Sequence, residues 1–335
     1  MEKALQEAMA QANHARYLPG QQKGHYESFF LRANHPEKPL AFWIRYTIFS
    51  PENNPGKAIG ELWGMFFDGE TGRHVAVKDE FPFSECSFSR DTFEVHVGNS
   101  KLVPGRLRGK ASAGKDSMSW NLQYTGGGDP LFLLPLKFYS TGFPKAKALV
   151  GAPLAAFTGI IIVNGQEVEV KEWIGSQNHN WGVKHTDLYA WGQVAGFDNE
   201  PDSFLEAATA RLKFGPIWTP RFTVLVLRHK GREYVFNSLL QSVRAKGKFD
   251  YFSWNFSSQN KEAAISGTIR GQLGDFVGLA YYNPPGGVKH CLNSKIAQAE
   301  VRLQTGGQEV VLTTKNRAAF EILTDDKKHG VDIRV

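Results

Sequence analysis

The feature that most limits how this chain can fold is a series of short segments rich in aromatic and β-branched residues, cut apart by turn-forming clusters. HYESFFLRA (25–33), LAFWIRYTIF (40–49), GELWGMFFD (60–68), DTFEVHV (91–97) and SMSWNLQY (117–124) are of this kind, and HPEKP, PENNPG and TGGGDP separate them. Such residues suit a pleated, half-buried surface, and Gly, Pro and Asn punctuate it. One stretch reads as helix: in EKALQEAMAQANHA (2–15), Leu5, Ala8, Met9 and Ala12 follow a 3.6-residue spacing. Strands at close spacing with little helix between them predict an antiparallel sandwich or barrel.

The pattern breaks once. DPLFLLPLKFYSTGFPKAKALVGAP (129–153) holds four prolines and has no clear period, which reads as a crossover. A second series follows. It opens on TGIIIVNGQEVEVKEW, a hairpin whose Asn164-Gly165 supplies the positive φ angles of a type I′ turn. It continues through DLYAWGQVAGF, DSFLEAATARLKF, RFTVLVLRHKGREYVFN, FDYFSWNFSSQ, EAAISGTIRGQ, FVGLAYYNP and KIAQAEVRLQT. The 335 residues exceed one ordinary domain of roughly 100–200 residues. The reading is therefore an N-terminal helix and first barrel over 1–128, a crossover over 129–153, and a second barrel over 154–335. A small closed barrel can hold one apolar ligand.

Several kinds of chemistry fit poorly. The net charge is +6, but Lys and Arg are scattered and form no nucleic-acid patch, so the excess reads as solvated surface, with contact to anionic lipid as the alternative. Two cysteines, Cys86 and Cys291, are too few for a disulfide framework and read as reduced thiols, which, with neither a signal peptide nor an 18-residue apolar stretch, suggests a cytoplasmic protein, membrane-associated at most. His179 and His185 on one strand would be roughly 20 Å apart, too far to share a zinc ion. No G-x-S-x-G elbow occurs, and Gly126–Gly128 lead into Asp-Pro rather than a helix. The expectation is no metal and no cofactor.

What remains is GSQNHNWGVKH (175–185). On a strand, His179 and Trp181 face one way and Asn180 the other, and Gly182 allows a bend or a close neighbour. A tryptophan core anchor with a hydrogen-bonded histidine would explain the cluster, and so would a site. In SFLEAATARL, Glu206 shares a face with Phe204, Ala208 and Ala210. It either faces a cavity, where burial raises its pKa and makes it a proton donor, or pairs with an arginine such as Arg45 or Arg211. In the first half His25 and Glu27 share a face, as do Trp43 and Arg45. These are core aromatics with their neighbours, or a polar pair at a pocket mouth.

The order APLAAFTGIIIVNG, a strand, G-x-x-N-H-N-W-G, aromatics and SFLEAATAR resembles the tandem-lipocalin superfamily, which includes carotenoid 1,2-hydratases, tocopherol cyclases, lipocalin-type Diels–Alderases and a fungal survival-factor group. The resemblance also takes in GHYESFFLRANHP and GELWGMFFD, and it departs at Gln177-Asn178, where the hydratases tend to carry an acidic lead-in. It implies an all-β fold of two lipocalin-like antiparallel barrels in tandem. It also implies that His179 and Trp181, with Glu206 near the place of the acid, serve in protonating an alkene; Tyr189, Trp191, Asn180, His25, Glu27 and Trp43 are the further residues expected around the substrate. Two functions fit: cofactor-free hydration, cyclisation or isomerisation of a bulky isoprenoid or polyketide-like molecule, or lipid binding and stress protection without turnover. On either reading the partner is a small apolar ligand in an aromatic-lined cavity. The expected geometry has His179, Trp181 and Glu206 converging on one point, with Tyr189 and Trp191 nearby.

Overall fold

A computed structural model describes residues 2–335, of which 60% lie in strands and 8% in helices. Helix α1 (Glu2–Ala10) precedes two curved antiparallel sheets. The first is built from β1 (His25–Asn34), β2 (Leu40–Ser50), β3 (Ile59–Asp68), β4 (Val75–Pro82), β5 (Cys86–Phe88), β6 (Val95–Val97), β7 (Ser100–Val103), β8 (Arg106–Ala113), β9 (Asp116–Gly126), β10 (Leu131–Phe132), β11 (Ala146–Val163) and β12 (Gln166–Gly182). Its order is β4-β3-β2-β1-β12-β11-β9-β8-β7-β6-β5, and β4 curls round to lie beside β8 and β9, so the barrel is nearly closed.

The remaining strands are β13 (Leu188–Ala195), β14 (Phe204–Arg211), β15 (Lys213–Phe214), β16 (Ile217–Trp218), β17 (Phe222–His229), β18 (Arg232–Phe236), β19 (Lys246–Asp250), β20 (Ser253–Gln259), β21 (Ala263–Arg270), β22 (Val277–Tyr282), β23 (Val288–Thr305) and β24 (Gln308–Thr324), with α2 (Leu239–Arg244) between β18 and β19. Strands β15 and β16 form a separate ribbon; the rest make a half-barrel in the order β18-β17-β14-β13-β24-β23-β21-β20-β19. The two sheets repeat one plan. In each, the first strand lies between the second and the last, the last two form a long bulged hairpin, and one short strand, β10 or β22, pairs with that hairpin.

Two expectations change. The helix ends at Ala10 rather than 15, because residues 12–17 are drawn against the first barrel by hydrogen bonds described below. The hairpin expected to open the second barrel instead completes the first: β11 pairs with β9 and β12 with β1. Strand β1 has β2 on one side only, and its other edge needs a partner. The first sheet thus runs from 25 to 182, and the crossover is 183–187. The hairpin's turn is as expected, with Asn164 at φ 49° and Gly165 at φ 82°.

Side-chain alternation then sorts the residues into layers. On β1, Phe29, Leu31 and Ala33 fill the first barrel with Phe42, Trp120, Phe157 and Trp173. The second barrel is filled likewise, by Leu205, Leu225, Trp254, Phe256 and Phe320 among others. The opposite faces of both sheets pack on each other, where Phe30, Trp43, Trp63 and Met65 meet Trp191, Leu279, Tyr281 and Leu323. This contact layer between the sheets is rich in buried charge.

Candidate functional site

The sequence-derived site residues fall into two clusters, on opposite faces of the first sheet. His25, Glu27, His179 and Trp181 point into the mouth of the first barrel. In the β1–β12 register Phe29 lies opposite His179 and Glu27 opposite Trp181. Glu27 is fully buried and accepts from His25 Nε2 at 2.9 Å and His179 Nε2 at 2.8 Å. It also accepts from the backbone N–H groups of Arg16, at 2.7 and 2.9 Å, and of Tyr17, at 2.9 Å. Burial alone would raise its pKa, but the hydrogen bonds and charges of His179 and His25 together outweigh burial and hold the carboxyl at about 2.

His179 is equally committed. Its other ring nitrogen, Nδ1, lies 2.7 Å from the Ala12 carbonyl, so both nitrogens face oxygen atoms. The ring stacks on Phe29 at 4.2 Å, and the Arg16 guanidinium covers Trp181 at 5.2 Å. The Gln177 amide donates to Asn13 Oδ1 at 3.0 Å. The cluster ties residues 12–17 across the barrel mouth. Gly182 is where a neighbour comes close, as expected: an added Cβ would lie 2.3 Å from the Lys145 carbonyl oxygen.

Glu206, Trp191, Tyr189, Trp43 and Asn180 lie in the contact layer instead. The expected convergence of His179 and Trp181 with Glu206 therefore does not occur. His179 and Asn180 are adjacent on one strand, so they face opposite sides, and Glu206 belongs to the side of Asn180. Glu206 is buried, and its carboxyl accepts from Trp191 Nε1 at 2.7 Å and from Gln193 Nε2 at 2.8 Å. It forms no ion pair with Arg45 or Arg211 among the described residues. Burial raises its pKa to about 7, against the opposing pull of the Trp191 and Gln193 hydrogen bonds and the Arg32 charge, with Glu321 adding to the rise.

Sequence reasoning missed most of the residues that hold Glu206 in place. Gln193 Nε2 also donates to Asn178 Oδ1 at 2.8 Å, and its Oε1 accepts from Ser176 Oγ at 2.6 Å and Arg32 Nε at 2.9 Å. Nearby, Lys295 Nζ donates to Glu321 Oε1 at 2.8 Å and sits 5.6 Å from the Trp191 ring. A signal was present for Arg32: it shares the non-barrel face of β1 with Tyr26, Ser28 and Phe30, and a charge in that row has nowhere to go but a second layer. No such signal exists for Glu321, whose strand was not recognised. Asn178 and Asn180 reach this layer from the same motif that sends His179 the other way; Asn180 Oδ1 accepts from Ser28 Oγ.

A groove of about 420 Å³ lies on the second sheet, but its walls, among them Lys246, Lys248, Asn255, Glu300 and Arg302, are mostly polar and differ from the aromatic-lined cavity expected. Both barrels are filled by their own side chains, and the space between the sheets at Tyr26, Arg45, His185 and Tyr281 has a volume of about 10 Å³, enough for one water. Among the described residues, no cluster of His, Cys, Asp and Glu has the grouping of a metal site. Cys86 and Cys291 are free thiols. No helix among the described residues is long and apolar enough to cross a membrane.

No family model matches the chain, and no curated protein matches it. Solved structures do. A Nitrosomonas europaea protein named as a candidate AttH is 14% identical with a TM-score of 0.58, over 92% of this chain and 98% of that one. Kievitone hydratase from Nectria haematococca is 10% identical with a TM-score of 0.54, over 95% and 96%. CghA is 10% identical with a TM-score of 0.53, over 93% of each chain. At these identities the likeness is one of fold, and it extends over nearly the full length: this chain has the two-sheet fold of kievitone hydratase and CghA.

Proposed function

We propose that the chain is a cofactor-free acid catalyst that hydrates, cyclises or isomerises a bulky, largely apolar molecule of isoprenoid or polyketide type. The substrate lies between the two sheets, and Glu206 is the proton donor. One observation carries this reading: Glu206 is buried among aromatic rings, bonded only to neutral donors, with its pKa raised to about 7. A carboxylic acid half-protonated near neutral pH is poised to give a proton and take it back. The fold shared with an enzyme named a hydratase agrees with it.

In hydration, the Glu206 proton adds to one alkene carbon and leaves a cation on its neighbour. Water attacks that cation and returns a proton to the carboxylate, so nothing is consumed but water. In cyclisation, a second double bond takes the place of water and the cation loses a proton at the end. The Trp191 and Trp43 faces stabilise the cation by about 2 kcal/mol each when desolvated. Because the barrel interiors are filled, binding requires the sheets to part at their contact layer. His179 is a positioning residue on this reading: it fixes β12, whose Asn178 holds Gln193 and through it Glu206. Lipid binding without turnover would be favoured by an ion-paired Glu206, and the two neutral partners argue against it.

Mass spectrometry of small molecules extracted from the purified protein identifies the ligand class. Glu206→Gln should then bind that ligand within about twofold of the native protein while turnover falls at least about a hundredfold, the lower bound for losing a general acid. Turnover at the native rate would remove Glu206 from the mechanism.

A further inference from the structure

We infer that the contact layer contains an oxygen-binding pocket, centred on Arg45 and Thr47 and flanked by Trp43 and Trp63, for a carbonyl, enolate, phenolate or carboxylate oxygen on the molecule that Glu206 protonates. The inference rests on the functional reading above and narrows its substrate from a plain hydrocarbon to an oxygenated one.

Arg45 is 4% exposed. Among the described residues it makes no ion pair and no side-chain hydrogen bond, and its Nε is a buried donor without a partner. The guanidinium lies among rings, 4.3 Å from the centroid of Tyr281, 5.8 Å from Trp43 and 5.9 Å from Trp63. Four more side-chain atoms around it are buried without a hydrogen-bond partner: the indole N–H of Trp43, the indole N–H of Trp63, the Thr47 hydroxyl and Glu61 Oε1, the last within ion-pair distance of Lys78. These groups share one layer by register, since 43, 45 and 47 alternate along β2 and Trp63 lies opposite Arg45 on β3.

The neighbouring carboxylates are taken. Glu61 is held by Lys78 at 2.7 Å and Glu321 by Lys295 at 2.8 Å. Burial, together with the charges of Arg45 and Lys289, holds the His185 imidazole down at about 3, so that wall of the pocket is neutral. What is left is one positive charge without an ion pair and the Thr47 hydroxyl beside a space of about 10 Å³, which the lysine-held Glu61 also lines; the Trp43 and Trp63 indoles flank Arg45 rather than line that space. Buried donors are ordinarily paired, and a buried charge more so. A cluster that breaks both rules in one place is complementary to an acceptor that the protein itself does not supply. Arginine and indole donors together favour an oxygen bearing negative charge on a planar frame.

The test uses two probes of the same size, naphthoate and ethylnaphthalene, with the indole N–H resonances of the native protein assigned by Trp→Phe variants. Naphthoate should bind at least about tenfold more tightly than ethylnaphthalene, as expected for a charge-assisted hydrogen bond. It should shift the Trp43 and Trp63 resonances, and Arg45→Met should abolish the preference. Arg45→Met should also fold with an unchanged or higher Tm, because no partner is left behind. If it does not fold, Trp63→Phe replaces it and should weaken naphthoate alone. Equal binding of both probes that moves Trp191 but neither Trp43 nor Trp63 would overturn the oxygen pocket and leave the contact-layer reading intact. Binding of neither probe would overturn both.

Discussion

Glu27 and Glu206 are both buried carboxylates on strands next to the first strand of a sheet or on it, yet they are driven in opposite directions. Glu27 receives two backbone N–H groups, one shared between both its oxygens, and two histidines, and is held at about 2. Glu206 receives one indole and one amide and rises to about 7. Burial pushes both upward; what differs is how many donors answer it. A carboxylate saturated by its own chain is locked as an anion and holds structure together. One that is under-supplied keeps a proton it can give away. The same contrast separates the two faces of β12, where His179 serves the first kind of site and Asn178 the second.

The largest expected effect comes from breaking the saturated site. Glu27→Gln leaves the imidazole rings of His25 and His179 without a counter-ion and costs about 3–5 kcal/mol, the range for removing one partner of a buried ion pair. Calorimetry should show Tm lower by roughly 4–7 °C at neutral pH. Amide exchange should quicken at Arg16 and Tyr17, whose N–H groups lose their acceptor. The sign with pH follows from a folded pKa below the unfolded one. The stability from Glu27 is present above about pH 4.5 and is lost as pH falls toward 2. The variant should lack that acid limb. A Tm within 2 or so degrees of native would mean that the barrel mouth is not held by this carboxylate.

Glu206→Gln should act in the opposite sense. Below about pH 4.5 the acid is protonated both folded and unfolded and contributes nothing. Between about 4.5 and 7 the folded state keeps the proton that the unfolded state releases, so native stability falls as pH rises. By pH 8 that penalty is about 3 kcal/mol. Glutamine carries no such penalty, although its amide loses the Gln193 hydrogen bond, about 1 kcal/mol at every pH. Denaturant titrations at pH 4 and pH 8 should therefore show the variant gaining on the native protein as pH rises. An unchanged difference between the two pH values would mean that Glu206 is already ionised when folded.

Most of the strands were legible in sequence, because aromatic and β-branched runs between turn residues follow from local chemistry; β4, β7 and β8, shorter or more polar, were not. The Asn164-Gly165 turn was legible for the same reason. Which sheet its hairpin joins was not. That depends on the open edge of β1, some 130 residues away, and no local pattern records it. The faces were half legible: alternation correctly opposed His179 to Asn180, yet nothing local said that Glu206 would take the side of Asn180. Strand β24 escaped because TTKNRAAFEILT mixes polar and small residues around a bulge. Glu321 escaped with it. The residues that tune Glu206, namely Arg32, Gln193 and Asn178, come from three strands of two sheets and become neighbours only when the layers stack.

The smallest effect probes that tuning directly. Trp191→Phe keeps an aromatic ring beside Phe30, which the indole meets edge-on at 6.0 Å, and removes the 2.7 Å hydrogen bond to Glu206. That bond favours the ionised form, so without it the Glu206 midpoint should rise by roughly one unit from about 7. The shift is worth about 1.4 kcal/mol and appears only above neutral pH. Carbon-detected titration of the labelled carboxyl reads it in the absence of any substrate. In turnover the alkaline limb, where the acid form is lost, should move up by the same amount. Glu27, on the far face of the first sheet, should titrate as before. If Glu206 stayed put while the protein lost stability evenly across pH, the indole would be filling space rather than setting the acid. The contrast between the two carboxylates would then rest on Gln193 and Arg32.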